Sequence, residues 1–257
     1  MNKTEAIELL KKSSLLRNKY FEFNFYAFCQ FYFMEYYTFK YLTLGGIENV
    51  LLSTTGYTGA GGCEIYFDKK DATIFVAFNV KDNKGVFEED AKFVIWTTTP
   101  WTIPANLAIC LNESFDYTMV KTEKGNLIFL KSMTEKLLEK FGLTSLGELH
   151  TFKGKELEGI TCVHPLYPDR ESVIILGNHV TDEDGTGCVH TAPGHGLDDF
   201  YVGVKYNLPA FCPVDEKGNL TKEAGPELEG KFVFDANPLV IELLDKRGAL
   251  LKTEKVT

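Results

Sequence analysis

The chain has 257 residues, 27 of them basic and 36 acidic, so its formal net charge is −9, and 44% of its residues are hydrophobic. This length and composition suffice for one sizeable hydrophobic core. The negative charge argues against a broad phosphate-binding surface, which needs clustered Lys and Arg, so any RNA contact must be local. The six cysteines form no C-x-x-C pair and we see no signal peptide, which predicts reduced thiols in the cytoplasm.

The first 66 residues differ in composition from the rest. A short helix is predicted over Thr4–Lys12, and thirteen of the twenty-two residues from Tyr20 to Tyr41 are aromatic. Polar residues such as Glu22, Glu35 and Lys40 interrupt this run, so we predict strands with an aromatic-rich face and no transmembrane helix. A role at a bilayer surface is a lesser alternative.

Two stretches in this region carry a family resemblance. EYYTFK at Glu35–Lys40 and ENVLLSTTGYTGAGGCEIYF at Glu48–Phe67 resemble the folate-dependent aminomethyltransferase of the glycine cleavage system. The resemblance implies that Glu64 contacts a pterin. Sixty-six residues are too few for that family's multi-domain folate cavity, so we expect no folate chemistry. Residues 1–66 are predicted to form a small α/β appendage, and residues 67–257 a second domain.

Beyond Phe67, short apolar runs bounded by turn residues predict a β-rich α+β domain. The predicted strands are Thr73–Val80, Lys92–Trp96, Leu107–Leu111, Tyr117–Lys121, Asn126–Leu130 and Ser172–Leu176. A capping-box pattern of Ser132 and Glu135 opens one predicted helix, which ends at Gly142. Asn237 and Pro238 open another, which ends at Gly248.

The first motif is WTTTPWTIPANLA at Trp96–Ala108. It follows the apolar strand Lys92–Trp96, and Pro100 and Pro104 are predicted to hold the chain in an extended path outside any ladder. The threonine hydroxyls then lie beside unpaired backbone. This composition is typical of a pocket rather than of a core.

The second motif is GTGCVHTAPGHGLDDF at Gly185–Phe200. Four glycines surround two histidines and two aspartates, so backbone N–H groups can approach a ligand that side chains would otherwise exclude. Loops of this kind often carry function. The two motifs together predict a site for a small polar ligand.

With FVAFNVKD before them and FVFDANPLVIELL after them, the two motifs resemble the editing domain of isoleucyl-tRNA synthetases from about Phe67 to the C-terminus. The resemblance implies a β-barrel with peripheral helices. It also implies a hydrolase that removes mischarged valine from the isoleucine tRNA without a metal or cofactor. Segments resembling H-I-G-H and K-M-S-K-S, which handle ATP in such synthetases, do not occur, so we expect no aminoacylation.

The resemblance assigns roles to individual residues. Asp199 matches the aspartate that binds the α-ammonium group of the substrate, and His190 matches a histidine that limits the size of the amino acid without acting as a general base. Thr97, Thr98 and Thr99 are expected to orient the attacking water and stabilise the oxyanion. The remaining expected substrate-binding residues are Asn106, Trp101, Gly187 and His195. Asn106 is expected to hydrogen-bond either the pocket or the terminal nucleotide. Trp96 and Trp101 are expected to belong to the core or the pocket wall, with stacking on a base as an alternative for Trp101. For His195 the alternative role is to hold its loop by hydrogen bonds to backbone.

The tRNA partner needs basic residues, and the candidate surface is the C-terminal stretch with Lys246, Arg247, Lys252 and Lys255, for which a solvated helix end is the alternative. Two other functions stay open. His190, His195 and Asp199 have an H-x4-H-x3-D spacing that zinc could use, although Pro193 and Gly194 prevent their presentation on one helix. The chain could also bind tRNA without catalysis. We expect a monomer in the cytoplasm.

Overall fold

The computed structural model describes residues 39–44, 47–53, 64–66 and 72–255. The chain divides into two units between Lys70 and Asp71. In the first unit, strands β1 (Phe39–Leu44), β2 (Ile47–Ser53) and β3 (Glu64–Tyr66) form an antiparallel sheet in the order β1-β2-β3. The predicted helix Thr4–Lys12 and most of the aromatic run lie outside the described residues.

Within residues 72–255, the second unit contains ten strands and three α-helices. The strands are β4 (Ala72–Asp82), β5 (Ala91–Thr97), β6 (Ala108–Leu111), β7 (Asp116–Thr122), β8 (Gly125–Leu130), β9 (Gly147–Lys153), β10 (Thr161–Val163), β11 (Glu171–Leu176), β12 (Val189–Thr191) and β13 (Leu250–Lys255). The helices are α1 (Thr134–Phe141), α2 (Leu197–Lys205) and α3 (Val233–Lys246). All six strands predicted in this region are confirmed, each within two residues at either end.

Six strands close a barrel. Neighbouring strands pair in the order β4-β10-β11-β6-β12-β5, and β5 pairs again with β4 to complete the ring. The closure is possible because β4 is long. Its Ile74–Asn79 segment pairs with β5, while Val80 and Asp82 pair with β10. Strands β8, β7 and β9 extend the sheet from β5, and β13 pairs with the first half of β4. The predicted β-rich barrel with peripheral helices is therefore confirmed.

The apolar residues of the predicted strands fill the barrel. Ile74, Phe78, Phe93 and Ile109 have no exposed surface, and together with their neighbours they form one continuous core. Removing apolar surface of this kind from water is the main driving force for folding. Among the described residues, no helix is both long and apolar enough to cross a lipid bilayer.

Two predicted helix starts are wrong. Ser132 lies in a 3-10 turn, Lys131–Met133, and α1 begins at Thr134 without a side-chain cap. Its end at Gly142 is confirmed, because this glycine has a left-handed φ of 64° and donates its N–H to the carbonyl of Glu139. Helix α3 begins at Val233, four residues before the predicted cap Asn237, and continues through Pro238 to Lys246.

The Asn237 side chain does not cap α3, because the helix has already begun at Val233. Its Oδ1 atom accepts a hydrogen bond from the backbone N–H of Trp101 at 2.9 Å. The predicted basic surface at the C-terminus is also divided. Lys246 and Arg247 form ion pairs with Glu242 and Glu227, whereas Lys252 and Lys255 belong to β13.

Candidate active site

A cavity of about 350 Å³ lies where the two motifs meet. Strands β5 and β12 run parallel at this point, with Trp96 opposite Val189 in the register. The first motif contributes Trp96, Thr97, Thr98, Thr99 and Thr102 to the cavity wall. The second motif contributes Gly185–His190, Ala192, His195 and Asp199. The structure therefore brings together the two segments that were predicted to form one site.

The chain beyond β5 forms a 3-10 helix, Pro100–Ala105, and the predicted extended path is wrong. Proline is tolerated in the first turn of a helix because the N–H that it lacks has no partner there. The turn brings Thr102 back towards Thr99. The Thr102 hydroxyl donates to the carbonyl of Thr99 at 2.8 Å, and the N–H of Thr99 donates to Oγ1 of Thr97 at 3.1 Å. The threonines thus form a fixed row along one side of the cavity.

The imidazole of His190 is held from both sides. The Asn106 amide nitrogen donates to the carbonyl of Ala108 at 2.9 Å, which fixes the orientation of the amide group. The same nitrogen lies 2.7 Å from Nδ1 of His190, so Nδ1 accepts and the ring proton must be on Nε2. His190 Nε2 then donates to Oγ1 of Thr102 at 3.0 Å. The hydroxyl of Ser172 completes the chain by donating to the amide oxygen of Asn106.

His190 is consequently neutral and has no free lone pair. Burial, with smaller contributions from His164 and His195, lowers its pKa to about 3. A general base needs an unprotonated nitrogen within reach of the reacting water, and both nitrogens of His190 already have protein partners. The residue is only 8% exposed, and its ring, bonded at both nitrogens, is a fixed part of the wall.

Asp199 lies in the first turn of α2, whose N-terminal cap is Gly196. One carboxylate oxygen accepts the N–H of Ala192 at 2.8 Å, which ties the helix to the loop of the second motif. Burial raises the pKa of Asp199, and the hydrogen bond from Ala192 opposes this shift. The carboxyl group is therefore partly desolvated at the cavity wall.

Gly187 needs to be a glycine for two reasons. Its φ is +72°, in the left-handed region, and a Cβ atom there would lie 2.6 Å from Cβ of Leu130. Its carbonyl oxygen accepts the hydroxyl proton of Tyr117 at 2.7 Å. The glycine thus lets the loop of the second motif run close against β8.

Three predicted substrate contacts have different positions. Asn106 is buried and hydrogen-bonds Nδ1 of His190, which is one of its two expected roles. Trp101 packs against the core, and its ring meets the His195 ring edge-on with 5.0 Å between the ring centroids. Neither residue lines the cavity. His195 does line it. Its backbone N–H donates to the carbonyl of Ala192 at 2.8 Å, which is a bond within the loop, whereas its buried Nε2 atom has no partner among the described residues.

The geometry of the site argues against the zinc alternative. Ligation would require His190 to give up its bond to Asn106 or to Thr102. Within the described part of the chain, no three His, Cys, Asp or Glu side chains are arranged to hold a metal ion. The geometry of His190, His195 and Asp199 therefore does not favour the zinc alternative.

The sequence did not reveal every residue of the wall. Trp96 was assigned to core or wall without a choice between them, and the segment between β11 and the second motif adds His179, Thr181 and Asp184. This segment has neither hydrophobic periodicity nor a motif. Its polar composition beside a glycine-rich turn was the only available signal.

The fold is that of aminoacyl-tRNA synthetase editing domains. The editing domain of the P. knowlesi cytosolic leucyl-tRNA synthetase matches with a TM-score of 0.56 and 14% identity, over 72% of this chain and 97% of that one. The P. falciparum counterpart matches with a TM-score of 0.56 and 12% identity, over 73% of this chain and 100% of that one. No family model matches the chain.

Comparison with curated sequences identifies the family more specifically than the fold does. Isoleucine–tRNA ligase of Bacillus subtilis is 46% identical over 213 residues, and that of Bacillus licheniformis is 50% identical over 213 residues; each match covers 82% of this chain and 23% of the relative. The chain is therefore a homologue of isoleucine–tRNA ligases, and the predicted resemblance to their editing domain is confirmed. It spans about a quarter of the length of these relatives.

The matched part is longer than the stretch from Phe67 to Thr257, so it includes part of the segment that resembles the aminomethyltransferase. That second resemblance is not shown by these relatives. It stays a prediction, as does the domain boundary at residue 67.

Proposed function

We propose that this chain hydrolyses the ester bond of valyl-tRNA for isoleucine, the mischarged product, with water as the nucleophile. The observation that carries the proposal is the cavity itself. Its wall contains a partly desolvated carboxyl group, Asp199, a fixed row of threonine hydroxyls, and the neutral ring of His190, which bonds to Thr102 of the first motif. The homology to isoleucine–tRNA ligases and the editing-domain fold support the same reaction class.

The groups of the substrate match the groups of the cavity. An aminoacyl ester carries an α-ammonium group, which the negative charge of Asp199 attracts. Its carbonyl oxygen becomes negative as water adds, and preorganised N–H and O–H donors stabilise that charge. Thr97, Thr98 and Thr99 supply such donors at the end of β5. The ester is already activated, so neither a metal nor a covalent nucleophile is needed.

Size selection rests on His190. An apolar pocket distinguishes amino acids that differ by one methylene by only about 10–200-fold, and isoleucine against valine is the usual example of this limit. A second, hydrolytic site that admits only the smaller side chain corrects the error. Because both ring nitrogens of His190 are bonded, the ring cannot move aside for a larger residue without breaking these bonds.

The test is deacylation of the two aminoacyl-tRNAs by the purified chain without ATP. We expect valyl-tRNA for isoleucine to be hydrolysed much faster than isoleucyl-tRNA, with the same rate in the presence of a chelator. Loss of activity with the chelator and recovery with zinc would refute the mechanism. Binding of tRNA without any deacylation would favour the non-catalytic module. The tRNA partner, the cytoplasmic location and the monomeric state belong to the same proposal.

A further inference from the structure

His179 is a cavity residue that neither motif contains. It follows β11 and lines the same cavity as Asp199. The ring is seated against Gly177, where a Cβ atom would lie 2.8 Å from its Cε1 atom and 2.7 Å from the sulfur of Cys110. Any larger residue at position 177 would push the imidazole out of its place. The backbone beside His179 is therefore shaped to hold the ring against the cavity.

His179 has hydrogen-bonding capacity that the protein does not use. Its Nε2 atom is buried, yet it has no partner in the described part of the chain. Such a group costs free energy when it is left unpaired, so each case in a folded protein requires an explanation. Asp199 is also incompletely satisfied, since among the described residues its only hydrogen-bond donor is the N–H of Ala192.

The two side chains share one space without touching. When it is protonated, His179 is close enough to lower the pKa of Asp199, but no hydrogen bond or ion pair joins the two side chains. Both side chains line the same cavity, so a ligand there that carries several N–H donors is the kind of group that could bond to both. An ammonium group has three such donors and a charge that complements the carboxylate.

We propose that His179 is a further substrate-binding residue, which accepts a second N–H of the α-ammonium group that Asp199 binds. This inference rests on the proposed function. Asp199 supplies the attraction, and the imidazole fixes the direction of the ammonium group and hence of the ester. The imidazole must be neutral to accept this bond. A protonated His179 would compete with the ammonium group for Asp199.

The experiment uses two non-hydrolysable compounds and the whole chain. The first is adenosine with valine linked through an amide at the ribose, and the second is the same compound with the α-amino group replaced by hydrogen. Calorimetry gives the affinity for each. For His179→Phe, which keeps a ring of similar size, we expect about tenfold weaker binding of the first compound and unchanged binding of the second. His179→Gln, which keeps a polar acceptor, should retain much of the affinity.

A matched control is His150→Gln, because His150 is half-exposed on β9 and pairs with Glu89 away from the cavity. Its affinities for both compounds should equal those of the unaltered chain. Equal losses for both compounds in His179→Phe would show that the ring only packs the wall, and the inference would be wrong. No loss for either compound would overturn it as well. If the unaltered chain bound neither compound, the proposed function would fail and this inference with it.

Discussion

The sharpest prediction concerns Asp199→Asn. The amide keeps an oxygen that can accept the N–H of Ala192, so the tie between α2 and its loop is preserved. What is lost is the negative charge. Removing one partner of a desolvated charged contact costs about 2–5 kcal/mol, and we take the lower end because the cavity is open to solvent. Since 1.4 kcal/mol is a factor of ten, the expected loss in kcat/KM is at least about thirtyfold.

The same substitution should not lower the stability of the fold, although it lowers the activity. Burial raises the pKa of Asp199, so the folded state holds the proton more tightly than the unfolded state does. Ionisation of this carboxyl group therefore lowers the free energy of unfolding. This cost is absent at low pH and develops as the pH rises through the carboxyl pKa. At neutral pH, Asp199→Asn should therefore unfold at the same temperature as the unaltered chain or at a higher one.

The assays are steady-state deacylation of valyl-tRNA for isoleucine and thermal unfolding by calorimetry. A variant that hydrolysed the ester as fast as the unaltered chain would show that Asp199 binds no ammonium group. A variant that lost both activity and several degrees of stability would show that the carboxylate is structural instead.

Three further predictions can be tested with the same protein. His190→Ala should allow hydrolysis of isoleucyl-tRNA. It should also lower the free energy of unfolding by about 1–3 kcal/mol, because Asn106 loses its hydrogen-bond acceptor. Complete inactivity toward both substrates would contradict a role in size selection. Gly187→Ala should destabilise the fold by more than about 1 kcal/mol in urea titrations, since its φ and the contact with Leu130 both exclude a Cβ atom, and an unchanged midpoint would refute this. Removal of residues 1–66 should leave the unfolding temperature of the remainder nearly unchanged, because the barrel closes within residues 72–255. If the shortened protein were insoluble, the first unit would be part of the core.

The strands that sequence predicted share a property that the missed ones lack. Runs such as Phe93–Ile95 are apolar and fully buried, so their composition alone identifies them. Strand β9 is largely exposed, and β10 and β12 have only three residues each. Their pairing is decided by neighbours distant in sequence, and no local pattern reports it.

The candidate site was predictable only in part, for a similar reason. The glycines, threonines and acidic residues of the two motifs predict that these segments together form a pocket. The choice between lining the cavity and supporting it depends on the backbone path, and the 3-10 helix at Pro100 decided it for Trp101. His179 belongs to a segment that has no sequence pattern, so its position in the cavity wall could be identified only from the structure.

The pairing of β4 with β13 has a consequence for how such a domain can be carried by a larger protein. Ala72, at the start of the barrel unit, is the register partner of Lys255 at its end. Entry and exit are thus one strand spacing apart, about 5 Å. A host protein could accept this unit within a single surface loop without separating the two ends of that loop. The two adjoining strands would then form a two-stranded connection to the host. Bending of this connection would rotate the barrel as one body and leave its cavity unchanged.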